Sequence, residues 1–206
     1  MTVAIVSYGV NNIGSVRRAL VDLGADVVLA EHHDALAGAD RVVLPGVGAF
    51  GEAMARLRAG GWVDALRRLV PQGRPLLGIC LGMQMLADSS DENGTHDGLG
   101  LIAGRVRRLD ALGCSLRIPH VGWNDVEYHG ASPLFAKIPQ GTDFYFVHSY
   151  AFEVGLPDTV RATTAYDVPL VASVQREHVF GTQFHPEKSS RAGRQVLKNF
   201  LDYGRC

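Results

Sequence analysis

No block of Lys or Arg stands out along the chain, and 20 basic against 21 acidic residues leave a formal net charge of -1. Binding a run of phosphates or an anionic membrane surface needs a concentrated positive field, so nucleic acid and membranes are excluded as expected partners. No apolar run approaches the ~20 residues of a membrane span, and the first eight residues carry neither a basic leader nor a cleavage-type ending; they read as a first buried strand. Cysteine is scarce. Cys80, Cys114 and Cys206 lie far apart, without metal or redox spacing, and an odd, dispersed count excludes a disulfide framework and fits a reducing compartment, which places the protein in the cytoplasm. The eight histidines are scattered, and His32-His33 has no Cys, Asp or Glu at the spacing a zinc site requires. Neither a metal nor a cofactor is expected, and there is no internal repeat.

What remains is a chain of 206 residues with 47% hydrophobic and 20% charged content. It suits one globular domain, 1–206, able to bury roughly 70% of its unfolded surface. The first half alternates short β-rich runs (3–6, 26–30, 40–44, 75–80) with helical patterns (13–23 and 52–70), the signature of a parallel α/β sheet. In the first helix Ile13, Val16, Leu20 and Leu23 recur at three- and four-residue steps and give one apolar face, with Gly24 as its C-cap. Residues 88–100, rich in Asp, Ser, Asn and Gly, read as an exposed loop. The second half is mostly strand (104–109, 116–128, 142–150, 159–165, 169–175, 179–184) before a helix near 189–203, and these strands extend or fold over the same sheet. Glu177-His178 is too short for a crossover helix, so its flanking strands are antiparallel and the sheet is mixed.

Three segments carry chemistry. The apolar run 74–80 ends at Cys80 and turns at once into the helix-forming residues 81–86. A cysteine on such a strand-to-helix turn projects from the sheet edge. The helix amides and dipole favour its thiolate, and the Leu81 N–H stands ready for an oxyanion. From this segment alone, a buried structural cysteine stays equally open. The second segment, Gly46-Val47-Gly48-Ala49-Phe50-Gly51, matches a dinucleotide fingerprint, but the ribose-binding acid due about 20 residues on is missing. The glycines instead suit an anion nest of backbone amides, half of an oxyanion hole. The third is His185-Pro186-Glu187 at a strand end, where residue alternation projects His185 and Glu187 to one side. A thiol nucleophile needs such a base and such an orienting carboxylate; alone, the pair also reads as a solvated strand end.

Residues 78–84, 184–187 and 44–50 together resemble the three signature segments of class I, Cys-His-Glu, glutamine amidotransferases. Within them the glycine loop, the segments 120–124 and 146–150, and Glu187-Lys188-Ser189 are similar to the family of glutaminase subunits of imidazole glycerol phosphate synthase. The resemblance runs from Tyr8 to Phe200. It implies a flavodoxin-like α/β fold with a mixed central sheet and helices on both faces, and hydrolysis of L-glutamine to glutamate and ammonia. Cys80 is then nucleophile, His185 base and acid, and Glu187 orienter. The oxyanion hole is Leu81 with Gly46, Val47 and Gly48, whose two glycines let the Val47 peptide rotate. Gln84 and His148-Ser149-Tyr150 hold the substrate. Nothing in the chain resembles an acceptor site, so the ammonia goes to another polypeptide, by resemblance a (β/α)8-barrel synthase subunit forming a heterodimer. Asn12, Trp123, Tyr145 and Lys188 are its interface candidates, with a core aromatic, a solvated charge and a simple N-cap as the plainer readings of Trp123, Lys188 and Asn12. The opening Ser7-Tyr8-Gly9-Val10-Asn11-Asn12 departs from the family's usual acid and Tyr-Gly-x-Gly-Asn. A different synthase partner, or a catalytically silent module of the same fold, stays open at this point.

Overall fold

In β1 (Thr2–Val6) Val3 and Ile5 enter one apolar cluster while Ala4 and Val6 enter another. A strand buried on both faces needs a layer on each side, and the computed structural model, which describes residues 1–9 and 13–204, supplies both. Helices α1 (Ile13–Val21) and α5 (Ser190–Asp202) bring Val16, Leu20, Val196, Leu197 and Phe200 to the side of Val3 and Ile5. Helices α2 (Phe50–Ala59) and α3 (Trp62–Leu69) bring Met54, Leu57, Trp62 and Leu66 to the side of Ala4 and Val6. Fully burying one side chain of this size contributes about 1.5–3 kcal/mol.

β2 (Asp26–Ala30), β1, β3 (Arg41–Gly46), β4 (Leu76–Cys80) and β13 (Val179–Thr182) lie side by side in that order and run parallel. From β13 the sheet continues antiparallel through β12 (Val168–Arg176), β11 (Val160–Tyr166), β8 (His120–Tyr128) and the edge strand β9 (Thr142–His148). The sheet is mixed, and the Glu177-His178 hairpin is antiparallel as its length requires. Among the described residues no helix is long and apolar enough to cross a membrane.

Four expectations are corrected. The pattern over 52–70 is two helices, because Gly60 and Gly61 interrupt it and Gly61 takes φ +70°. The run 142–150 is broken at Ser149. There the chain leaves the main sheet, and β10 (Tyr150–Val154) joins β7 (Gly104–Arg108), β5 (Ser89–Ser90) and β6 (His96–Asp97) in a separate four-stranded sheet. The strand expected from 116 starts at His120, just after Pro119, which has no N–H for a ladder. The stretch 88–100 is largely exposed loop as expected, but two short pieces of it, β5 and β6, pair in that second sheet, and Ser90 and Leu99 are buried.

After Cys80 the helix α4 (Leu81–Gln84) is a single turn, so its dipole is far weaker than a full helix would provide. It sits unusually close to the sheet. A Cβ on Gly82 would lie 1.8 Å from the Leu44 carbonyl oxygen, one on Gly78 2.6 Å from the Gly82 oxygen, and one on Gly46 2.8 Å from the Gly82 nitrogen. These three glycines allow the approach. Gly82→Ala is therefore expected to lower stability by about 1–3 kcal/mol or more, whereas Gly38→Ala, with nothing within 4 Å of the added methyl, should leave it nearly unchanged; urea unfolding of the two variants checks this.

Candidate active site

Three neighbouring parallel strands, β3, β4 and β13, end together, with Gly46 opposite Cys80 and Ile79 opposite Thr182. In parallel sheets the carboxyl ends of strands form the crevice where ligands bind. Cys80 stands in the middle, at φ 55° and ψ -113°, a strained backbone for a residue with a side chain. That strain is what the sharp turn from strand into helix demands.

A cavity of about 350 Å³ opens there, and its walls include Cys80, Leu81, Gln84, Val47, Gly48, His148, Ser149, Tyr150 and His185. Of the residues expected from sequence, Glu187 stands behind the wall on His185 and Gly46 lies outside the lining. Glu92, Pro119 and Val147 complete the wall. Glu92 lies in the loop between β5 and β6, where no sequence pattern marks it; its Oε2 accepts a hydrogen bond from the Phe50 N–H at 2.8 Å, at the start of α2.

His185 and Glu187 meet differently from expectation. β13 stops at Thr182, and a 3-10 turn over Pro186–Lys188 brings the pair together rather than strand alternation. His185 Nδ1 donates to Glu187 Oε1 at 2.7 Å, both side chains being almost wholly buried. Burial opposes a charge on the ring, but the neighbouring Cys80 thiol and the Glu187 carboxylate outweigh it and push His185 up to about 9. The segment is fixed at its back by Ser189, whose hydroxyl donates to the His185 carbonyl at 2.7 Å and accepts from the Tyr145 N–H at 2.9 Å, while the His185 N–H donates to the Tyr145 carbonyl at 2.9 Å.

His148 is a different kind of histidine. Its Nδ1 donates to the Tyr150 carbonyl at 2.9 Å, so its Nε2 must accept, and does so from His120 Nδ1 at 3.0 Å. Burial first, then the charges His120 and His185 would carry, lower it to about 3 against the pull of the Tyr150 carbonyl. His120, stacked between Phe146 and Tyr166, is lowered by burial to about 4. With both nitrogens committed, His148 is neutral and cannot take a proton without breaking the chain.

The glycine loop also differs in detail. Gly48, at φ +96° with open space around an added Cβ, retains freedom. Gly46 is wedged against Leu81, Gly82 and the Tyr8 hydroxyl, so it serves close packing and does not act as a second hinge. Tyr8 donates to the Pro45 carbonyl at 3.0 Å, and burial, with the nearby Cys80 charge, raises its hydroxyl well above the ordinary range. Outside the cavity, Trp123 is half exposed, which removes its core reading; it meets Tyr145 edge-on at 6.1 Å, and the Lys188 ammonium stands 5.9 Å from the Tyr145 ring. Asn12 lies outside the described residues.

Residues 4–203 match the profile of the family Glutamine amidotransferase class-I. The chain belongs to the class-I glutamine amidotransferases. Among relatives, it is 48% identical over 198 residues to the imidazole glycerol phosphate synthase subunit HisH of Moorella thermoacetica, covering 96% of this chain and 93% of that one. It is 44% identical over 202 residues to the subunit of the same name from Geobacillus thermodenitrificans, covering 97% and 94%. A solved structure titled PurLQS from Thermotoga maritima aligns with TM-score 0.77 over 98% of both chains at 19% identity, which shows that this amidotransferase fold persists where little sequence is shared.

The His185 environment has a direct consequence. A histidine raised above its free value of 6.5 contributes stability that is complete below that pH and is lost as pH climbs through about 9. In NMR titration the His185 ring should change charge near 9, and Glu187→Gln, by removing the acceptor charge, should bring that midpoint down; a midpoint unmoved by the substitution would contradict the pairing.

Proposed function

We propose that the chain is the glutaminase subunit of an imidazole glycerol phosphate synthase. It hydrolyses L-glutamine and passes ammonia to a (β/α)8-barrel synthase subunit in histidine biosynthesis. The observation that carries this reading is the strained Cys80 thiol at a cavity mouth shared with a buried, raised-pKa His185 held by Glu187. The extended identity to HisH subunits directs it to that synthase rather than another.

In this mechanism the Cys80 thiol passes its proton to His185 Nε2, which gives the thiolate and imidazolium that react. The thiolate attacks the amide carbon, and the oxyanion that forms is held by backbone N–H groups of Leu81 and of the Val47–Gly48 loop. His185 then gives its Nε2 proton to the leaving nitrogen, the C–N bond breaks, and ammonia departs from a γ-glutamyl thioester. Now neutral, His185 takes a proton from water as the water attacks the thioester. Collapse releases glutamate and restores the thiolate and imidazolium. Glu187 acts throughout by holding Nδ1–H, which leaves Nε2 as the nitrogen that exchanges protons.

Binding follows from the remaining wall. Both hydrogens of the Gln84 amide nitrogen are committed, to the Tyr150 carbonyl at 2.9 Å and to Gln183 Oε1 at 3.0 Å. Gln84 therefore offers substrate its carbonyl oxygen. Glu92 supplies a carboxylate for the substrate α-ammonium, and His148, Ser149 and Tyr150 shape the opposite wall. Trp123, Tyr145 and Lys188 form the docking face for the synthase subunit, with ammonia made and consumed under one cover.

Cys80→Ala tests the reading. It should abolish glutamine-dependent product formation by the complex with the synthase subunit, while a large excess of ammonium salt still yields product. Normal glutamine hydrolysis by this variant would exclude Cys80 as nucleophile, and loss of the ammonium-dependent reaction would show that the substitution damages more than the amide cleavage.

A further inference from the structure

Gln183 falls inside the run 179–184 that the sequence reads as a strand, one residue beyond the end of β13, and the sequence assigns it no role. It is completely buried, its backbone N–H donates to the Ala172 carbonyl at 2.9 Å, and it is absent from the cavity wall. Its side-chain Nε2 donates to the Cys80 Sγ at 3.8 Å. A side-chain amide can be turned either way, and a carbonyl oxygen turned to a thiolate would repel it. Here the choice is fixed: the Gln84 amide nitrogen donates to Gln183 Oε1 at 3.0 Å, so the oxygen is held on the Gln84 side and the N–H side is left for sulfur. Gln84 is itself held, since its other hydrogen goes to the Tyr150 carbonyl, which also accepts from His148 Nδ1. The chain continues through His148 Nε2 to His120 Nδ1 on β8. Every link is a donor matched to an acceptor, and none is free to reverse without leaving a buried polar group unpaired.

We infer that Gln183 is a positioning residue of the glutaminase reaction, a fixed N–H donor to the Cys80 thiolate whose orientation is set by Gln84. This rests on the proposed glutaminase reading and adds to His185 a side-chain donor for the sulfur, set against the Val147 carbonyl, which accepts from the Cys80 thiol at 3.8 Å. His185 must change protonation during the cycle and its hold on the sulfur changes with it. The Gln183 amide carries no exchangeable charge and keeps its donor on the sulfur through attack, thioester formation and release. Of the two side chains that can donate to the sulfur, one moves protons and the other holds place.

The test needs a variant that keeps the shape and another that keeps the Gln84 link. Gln183→Met removes the donor with little change of volume. Gln183→Glu still accepts from Gln84 but turns an oxygen toward the sulfur. Alkylation of Cys80 by iodoacetamide at pH 7, followed by intact-mass spectrometry, reads the reactivity of the thiolate without any substrate, and circular dichroism identifies which variants are folded. One charge-assisted hydrogen bond corresponds to on the order of tenfold in rate. Alkylation should slow by about tenfold in the folded Gln183→Met and at least as much in Gln183→Glu. In the complex with the synthase subunit kcat for glutamine should fall by a similar factor with KM unchanged, and the NMR midpoint of His185 should move down, because a less populated thiolate supports its charge less. Wild-type alkylation in either folded variant overturns the inference, as does a loss expressed in KM alone, which would make Gln183 part of the substrate wall. Absence of glutamate release by the wild-type complex would strike the glutaminase reading itself, and the alkylation comparison would still decide for or against Gln183.

Discussion

Backbone held against backbone at Gly46, Gly78 and Gly82 is the constraint on which the site is built. Because no side chain intervenes, the single turn of α4 lies directly on the ends of β3 and β4, and the residue that joins strand to turn is forced to positive φ. Cys80 occupies that position. The same approach packs Leu81 against Gly46, puts it on one cavity wall with Val47 and Gly48, and carries Gln84 to within reach of the Tyr150 carbonyl. The cost of a strained φ at a residue with a Cβ is of order 1–3 kcal/mol, and the buried strands on either side, apolar on both faces, over-determine the conformation enough to hold it.

Around that turn the two histidines are sorted by what their nitrogens can do. Both are buried, and burial alone would keep both neutral. His185 has a carboxylate on one nitrogen and a thiol near the other, so charge is favoured; His148 has a carbonyl on one and a second imidazole on the other, so charge is excluded. The difference is in hydrogen-bond partners rather than in exposure. It is also why the proposed reaction routes proton transfer through His185 and leaves His148 as a wall with a fixed donor pattern.

Much of this was legible in the sequence, for identifiable reasons. The parallel core announced itself because strands buried on both faces must be short, apolar and separated by amphipathic helices, as 3–6 and 75–80 are, while 26–30, the largely exposed edge of the sheet, was marked by its run of β-favouring residues. That Cys80, His185 and Glu187 would meet at one site was legible because the chemistry proposed for them needs unusual residue types at unusual places. What escaped depended on sequence-distant packing. The break at Ser149 follows from a change of sheet, and no local pattern marks it, since 142–150 is β-rich throughout. Gly60-Gly61 did carry a local signal, a double glycine between helical runs, that the long periodic pattern obscured. Glu92 was hidden by polar neighbours, and its place on the wall follows from Leu99 and Ser90 being drawn into the core. Gln183 was hidden by adjacency, since its partners Gln84 and Cys80 are some hundred residues away.

The hydroxyl of Ser189 ties the carbonyl of His185 to the amide of Tyr145, and the His185 amide returns to the Tyr145 carbonyl. Tyr145 belongs to β9, the outermost strand of the main sheet, and its ring lies among Trp123 and Lys188 on the outer face. His185 is thus referenced to the sheet's rim and not to the strand that precedes it in the chain. Rims are where sheets ordinarily yield, having a neighbour on one side alone. Here any force that steadies the rim from outside also fixes the distance between imidazole and sulfur, and any that lets it drift detunes them, so the precision of the reaction centre is partly deposited at the molecule's edge, where another surface can reach it.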